Sequence, residues 1–300
     1  MKKKTYLFAL MTMALTLGSC SNNEDGIGGE TSKYITVSTS IGNMTRVATD
    51  AKGGQTFEEG DEISVYAWTG DATIAPDASE RVVNNAINKL TSSSWVSTPQ
   101  MLWKNNRDKH YFIGVYPTAA ISDLSAGEYT FDANKQTESD LLVAVNPDGL
   151  SYSADAQQTV PLTFTHVMAK LAVNLTYKNQ WGGIPTVEKV VVGNAAKEAT
   201  INYLTKVVAP STTAKEDFSL PEITENTKYV SVIIPQEDVT QLTIVIGGKN
   251  FVYDNGTPFK LESGKITTVN LEVGRDEIKL GDVKITNWED GSTFSGEAIN

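Results

Sequence analysis

Hydrophobic and polar residues trade places every second position through much of this chain, the period of a strand with one buried face. Ile35, Val37, Thr39 and Ile41 alternate with Thr36, Ser38 and Ser40. Residues 62–68 (EISVYAW) follow the turn-like Glu58-Glu59-Gly60-Asp61. Residues 111–116 (YFIGVY) stop at Pro117, and residues 141–145 (LLVAV) stop before Pro147. Residues 162–177 (LTFTHVMAKLAVNLTY) read as one bent strand or two. Residues 187–192, 229–234, 242–246, 251–253 and 269–273 continue the series. Val, Ile, Thr and Tyr dominate these segments, as packed strands require, and Gly, Asn, Asp and Pro punctuate them. No stretch carries a convincing helical period over ten or more positions. Residues 81–90 (RVVNNAINKL) are the best helix candidate, and their β-branched and Asn content counts against it.

The reading is therefore all-β, with many short strands between turn signals predicting β-sandwiches. A length of 300 residues predicts two in tandem. The division expected is 47–158 and 159–300, inside the polar, proline-ended stretch SADAQQTVP. No short fixed repeat is present, which disfavours a propeller or solenoid.

The first residues depart from this pattern. Lys2, Lys3 and Lys4 precede an apolar run, residues 6–17, too short to span a bilayer and suited to a signal peptide. The run ends in Leu17-Gly18-Ser19-Cys20, which resembles a bacterial lipobox. That resemblance implies a signal peptide over residues 1–19 and acylation of Cys20, anchoring the chain to a membrane through lipid. The polar, Gly-rich SNNEDGIGGETS that follows reads as a tether.

Charge and chemistry narrow the function. The formal net charge is −11, the wrong sign for a nucleic-acid partner. With Cys20 the one cysteine, internal disulfides are excluded. His110 and His166 lie far apart without cysteines near them, which argues against a Cys/His zinc site, and the acidic turns lack the D-x-[DN]-x-[DN]-G pattern of a calcium loop, so no metal residue is assigned. There is no G-x-S-x-G, phosphate-loop or H-E-x-x-H motif. His166, inside an apolar strand pattern, reads as structural rather than as a general base. Glu58, Glu59, Asp61 and Glu62 read as a solvated turn rather than the facing carboxylates of a glycosidase. Trp68, Trp95, Trp103, Trp181 and Trp288 suit either a core or a carbohydrate platform.

Several segments then combine in order: Met44-Thr45-Arg46; Phe57-Glu58-Glu59-Gly60-Asp61-Glu62-Ile63; Phe112-Ile113-Gly114-Val115-Tyr116-Pro117; Asp140-Leu141-Leu142-Val143-Ala144; residues 162–171; Ile233-Ile234-Pro235-Gln236; and Ile285-Thr286-Asn287-Trp288. With the lipobox, they resemble the fimbrillin family, subunits of type V pili. The resemblance implies two tandem transthyretin-like β-sandwich domains after a lipoprotein signal peptide. It implies an outer-membrane lipoprotein precursor that ends in a cell-surface fimbrium. An Arg-specific, trypsin-like protease would cut after Arg46. Residues 20–46 would be a lipidated leader with a removable first strand carrying Ile35, Val37, Thr39 and Ile41. A strand from another pilus subunit would fill the groove left behind. No enzyme activity and no cofactor are implied, and a host or bacterial surface ligand would be the target of adhesion.

The C-terminal end decides between stalk and tip. Ile278 and Leu280 share one phase, Val283 and Ile285 the opposite one, and the slip falls at Gly281-Asp282. The stretch is either a donor strand carrying Val283 and Ile285 or one bulged final strand. The tail after Trp288 is polar and a poor donor, which leans toward a tip or accessory subunit. Two other hypotheses stand beside the pilus subunit. One is a monomeric surface lipoprotein that binds glycans without assembling; the other is a glycoside hydrolase.

Overall fold

The computed structural model describes residues 33–42, 56–153 and 158–288. The chain is all-β. In order come β1 (Thr36–Ile41), β2 (Glu62–Thr69), β3 (Val83–Thr91), β4 (Ser94–Thr98), β5 (Lys109–Tyr116), β6 (Gly127–Thr130), β7 (Leu142–Ser151) and β8 (Thr159–His166). Then follow β9 (Ala169–Tyr177), β10 (Val187–Ala196), β11 (Glu198–Asn202), β12 (Val207–Pro210), β13 (Lys215–Ser219), β14 (Glu222–Thr224) and β15 (Lys228–Ile233). The last four are β16 (Gln236–Ile246), β17 (Lys249–Leu261), β18 (Lys265–Val273) and β19 (Ile278–Asn287).

Strands β1 to β8, without β6, form one seven-stranded sheet in the order β1-β8-β7-β5-β2-β3-β4. A four-stranded sheet (β13-β10-β16-β17) and a five-stranded sheet (β14-β15-β9-β18-β19) supply the second half. Their inner faces share one core, with Val190, Val192, Leu242 and Ile244 on one side and Leu171, Val173, Val269 and Leu271 on the other. That is sandwich-like packing. A three-stranded sheet (β12-β11-β6) ties the halves together, because β6 comes from the first and β11 from the second.

Strands β2 and β5 are apolar on both faces because both faces are buried. Ile63, Val65, Ala67 and Phe112 belong to a core inside the first sheet. Tyr66, Trp68, Ile113 and Val115 point the other way, into the core shared with the second half. A near-continuous apolar run such as EISVYAW is what a strand covered on both sides requires.

The structure decides three local readings. The helix candidate at residues 81–90 lies largely in β3: valines and asparagines lose in a helix what a pleated, half-buried surface returns. The stretch 162–177 is two strands, β8 and β9, with Val167-Met168 between them; β8 stays in the first sheet and β9 enters the five-stranded one. Strand β7 also runs through Pro147 to Ser151. The proline sits where the β5 pairing shifts register between Phe112↔Asn146 and His110↔Leu150, and a bulge tolerates a missing N–H.

Candidate functional site

Strand β1 lies at one edge of the seven-stranded sheet and pairs in parallel with β8. The register runs from Thr36↔Thr159 through Val37↔Val160 and Thr39↔Leu162 to Ile41↔Phe164. The partners lie more than 120 residues apart, and the N–H of Gly42 closes the pairing with a 2.7 Å bond to the Phe164 carbonyl. Alternation then does what the sequence dictates. Ile35 and Val37 are 1% and 6% exposed in the inner core, and Thr39 and Ile41 are half-buried. Thr36 and Ser40 face outward, their hydroxyls 3.3 Å and 3.2 Å from those of Thr159 and Thr163.

The other side of β1 is fastened mainly at its start. Ile35 N–H donates to Met101 O at 3.0 Å, and Trp103 N–H donates to Lys33 O at 3.1 Å. Beyond this point β1 and β4 face each other across a groove of about 780 Å³. Thr36 to Ile41 form one wall; Phe57, Leu90, Ser93, Ser94 and Trp95 contribute to the other. One described bond spans it, from Trp95 Nε1–H to Thr39 Oγ1 at 3.0 Å.

An aromatic cluster floors the far end. The Phe57 ring meets Trp95 at 5.3 Å, Tyr116 at 5.3 Å and Phe164 at 5.1 Å, each edge-on, an attractive arrangement for aromatic pairs. Gly114 makes room for it: a Cβ there would stand 2.6 Å from Phe164 Cζ. Burial pushes the Tyr116 phenol above its ordinary pKa, and Asp61, which accepts its hydrogen bond, adds to the effect. These aromatics lie scattered over more than a hundred residues; the sequence marks Phe57, Tyr116 and Phe164 only as parts of ordered motifs and Trp95 only as one of five tryptophans.

Other sequence candidates are occupied structurally. Asp61 accepts from Glu58 N–H at 2.7 Å, Glu59 from Ser92 N–H at 3.0 Å, and Glu62 pairs with Lys89 at 3.0 Å. His166 Nδ1 lies 2.8 Å from Asp140 Oδ1, and its ring stacks on Trp288 at 4.1 Å. Lys170 Nζ sits over the same Trp288 ring, 4.2 Å from its centroid. Trp68, Trp103 and Trp288 are buried, whereas Trp95 and Trp181 are half-buried.

At the C-terminal end, β19 is one bulged strand at the edge of the five-stranded sheet. Leu280 pairs with Leu271 and Val283 with Val269, so Gly281 and Asp282 stand opposite Asn270 alone. The extra residue keeps Leu280, Val283 and Ile285 on the face of the inward residues of β18. They remain 37%, 41% and 38% exposed. Cys20 and Arg46 lie outside the described residues.

A family model described as fimbrillin-like matches residues 45–288. No curated protein matches the sequence. Among solved structures, a candidate cell adhesion protein from Bacteroides uniformis aligns over 85% of this chain and 99% of its own, with 19% identity and a TM-score of 0.62. A second such protein, from Bacteroides ovatus, aligns over 85% and 96%, with 17% identity and a TM-score of 0.60. The tip fimbrial protein Mfa3 of Porphyromonas gingivalis, C-terminally truncated, aligns over 77% and 95%, with 11% identity and a TM-score of 0.50. At these identities the likeness is one of fold.

Proposed function

This chain belongs to the fimbrillin-like family, and from that premise we propose that it is a structural subunit or tip adhesin of a type V pilus at the cell surface. It is exported as a lipoprotein acylated on Cys20, reaches the outer membrane, and is cut after Arg46 by an Arg-specific, trypsin-like protease. The leader then leaves with β1, and a strand from another pilus subunit takes its place. The subunit acts in adhesion to a host or bacterial surface rather than in catalysis.

The observation that carries the reading is the position of β1. It is an edge strand whose one ladder partner among the described strands is β8, with a short backbone fastening to Met101 and Trp103 at its start, and the chain after Gly42 leads directly to Arg46. Before cleavage the linker holds β1 at a high local concentration, in the millimolar range for short tethers. Cleavage removes that advantage and leaves only non-covalent grip. Burying one Ile or Val is worth roughly 1.5–3 kcal/mol, so loss of Ile35 and Val37 leaves an apolar slot beside unpaired β8 edge groups. Such an edge recruits another strand, the β-augmentation mode of recognition. Until the cut, β1 blocks that route.

The test uses residues 21–300, so that Cys20 is omitted, treated with a trace of trypsin. N-terminal sequencing and size-exclusion chromatography then follow. The expected result is one cut after Arg46 with a compact remainder. Oligomers that appear after the cut indicate self-donation, and a stable monomer indicates a need for other subunits. An Arg46 that resists while other sites are cut overturns the mechanism.

A further inference from the structure

Resting on the donor-strand reading above, we infer that the groove under β1 rejects strand β19, even when a second copy of this chain offers it, and is matched to a donor strand of another sequence. The partner has apolar side chains at the first, second and fourth inward positions and a small polar one at the third, and it runs parallel to β8.

Strand β1 is the occupant on which this specification rests. Its inward series is Ile35, Val37, Thr39 and Ile41, and its direction is fixed by the parallel register with β8. The first two positions are the most enclosed. Thr39 takes the third, where its hydroxyl accepts from Trp95 Nε1–H at 3.0 Å, a bond a bulky apolar residue loses. Ile41 takes the fourth, opposite Phe164 and in the groove lined by Phe57 and Trp95. A charge there sits on an aromatic floor without a counter-ion among the described groove residues, a costly placement.

Residues 278–300 do not meet that specification in any register. With Ile278 and Leu280 in the first two places, Asp282 and Lys284 fall in the third and fourth. With Val283 and Ile285 there, Asn287 and Glu289 follow. Beginning at Leu280 puts Asp282 second, and beginning at Phe294 puts Gly296 second. The bulge at Gly281-Asp282 is the reason: it unites four apolar residues on one face only while β19 is paired with β18. A straight strand splits them into two short, incompatible sets, since side chains alternate strictly.

The test takes residues 21–300 cut after Arg46, with the leader still bound, and offers three labelled peptides. These are residues 33–42 (KYITVSTSIG), residues 278–288 (IKLGDVKITNW), and the latter carrying Asp282→Thr and Lys284→Ile. Incorporation is followed by fluorescence across a size-exclusion column. The leader peptide is expected to exchange in, and the unaltered last strand to do so about tenfold more weakly or worse, as loss of one buried apolar side chain predicts. The doubly substituted peptide is expected to recover to within about threefold of the leader, since its inward series is then Ile, Leu, Thr, Ile. Equal entry of the unaltered last strand overturns the inference while leaving the opened groove standing. So does a double substitution that brings no gain. Failure of the leader peptide itself to exchange sinks the donor-strand reading, and this inference with it.

Discussion

Tyr203 is 2% exposed at the place where the second half reaches into the first. It belongs to the same apolar cluster as Tyr66, Ile121 and Leu124, and its N–H donates to Leu124 O at 2.8 Å. The ring lies so close to Gly127 that a Cβ there would stand 2.6 Å from Tyr203 Cε2. Burial pushes its phenol from 10.0 up to about 12. The folded state thus keeps a proton that the unfolded chain gives up, so stability is intact below pH 10 and is lost as pH rises toward about 12. Tyr203→Phe removes that share. Urea midpoints of the two proteins, taken at steps from pH 8 to 12, should run parallel at first. The unfolding free energies they report should then shift by roughly 2 kcal/mol in favour of the variant. A gap that stays constant with pH would show that the phenol titrates as freely in the fold as outside it.

Among the elements, β19 depends on how the residue that follows it is clasped. Trp288 follows the strand directly, donates its N–H to Gly264 O at 3.0 Å, and is 5% exposed. His166 at the end of β8 stacks on its ring, and Lys170 in β9 approaches the ring to 4.2 Å. Burial lowers the Lys170 ammonium pKa, opposed by Asp140. Trp288→Ala is expected to cost about 3–5 kcal/mol, the usual range for a buried Trp. Amide exchange should rise first and most in β19, with β2 and β5 following only at global unfolding. Protection of β19 unchanged by the substitution would mean that the β18 pairing holds it without the clasp. Elements of this kind were legible in the sequence to different depths. The alternation at residues 35–41 gives β1, and the phase slip at Gly281-Asp282 narrows the last stretch to a bulge or a turn, of which the structure has the bulge, because both signals are local consequences of side-chain period. The partner of β1 is not local: Thr36 meets Thr159 across more than 120 residues, and nothing in either segment encodes the other. The same holds for the cluster of Phe57, Trp95, Tyr116 and Phe164, whose members come from four separate segments. Residues 162–177 were ambiguous because strands in two different sheets follow each other with Val167-Met168 as the whole connection.

At the scale of the molecule, the halves are joined by more than that two-residue link. The larger core takes Tyr66, Trp68, Ile113, Val115 and Val143 from the first sheet and Leu171, Val173, Val192 and Ile244 from the second half. Strand β6 pairs with β11 over Gly127 to Thr130, so a first-half strand is hydrogen-bonded into a second-half hairpin. Independent domains in tandem would instead meet across a thinner, more polar boundary. Opening either half exposes the outer face of β2 and β5 together with the base of the opposing sandwich. The expected behaviour is therefore one cooperative transition. Far-UV circular dichroism reports the strands of both halves. Tryptophan emission reports Trp68 and Trp103 on one side and Trp181 and Trp288 on the other. The two urea curves should superimpose, the standard sign of two-state unfolding. Cleavage at Arg46 followed by loss of β1 should lower the midpoint seen by both probes together, because the inner core that Ile35 and Val37 complete backs the same β2 and β5 strands that the second half rests on. Two separated transitions, or a shift confined to one probe, would mean that the shared core does not couple the halves. Strand exchange at the groove would then be invisible to the C-terminal sheets.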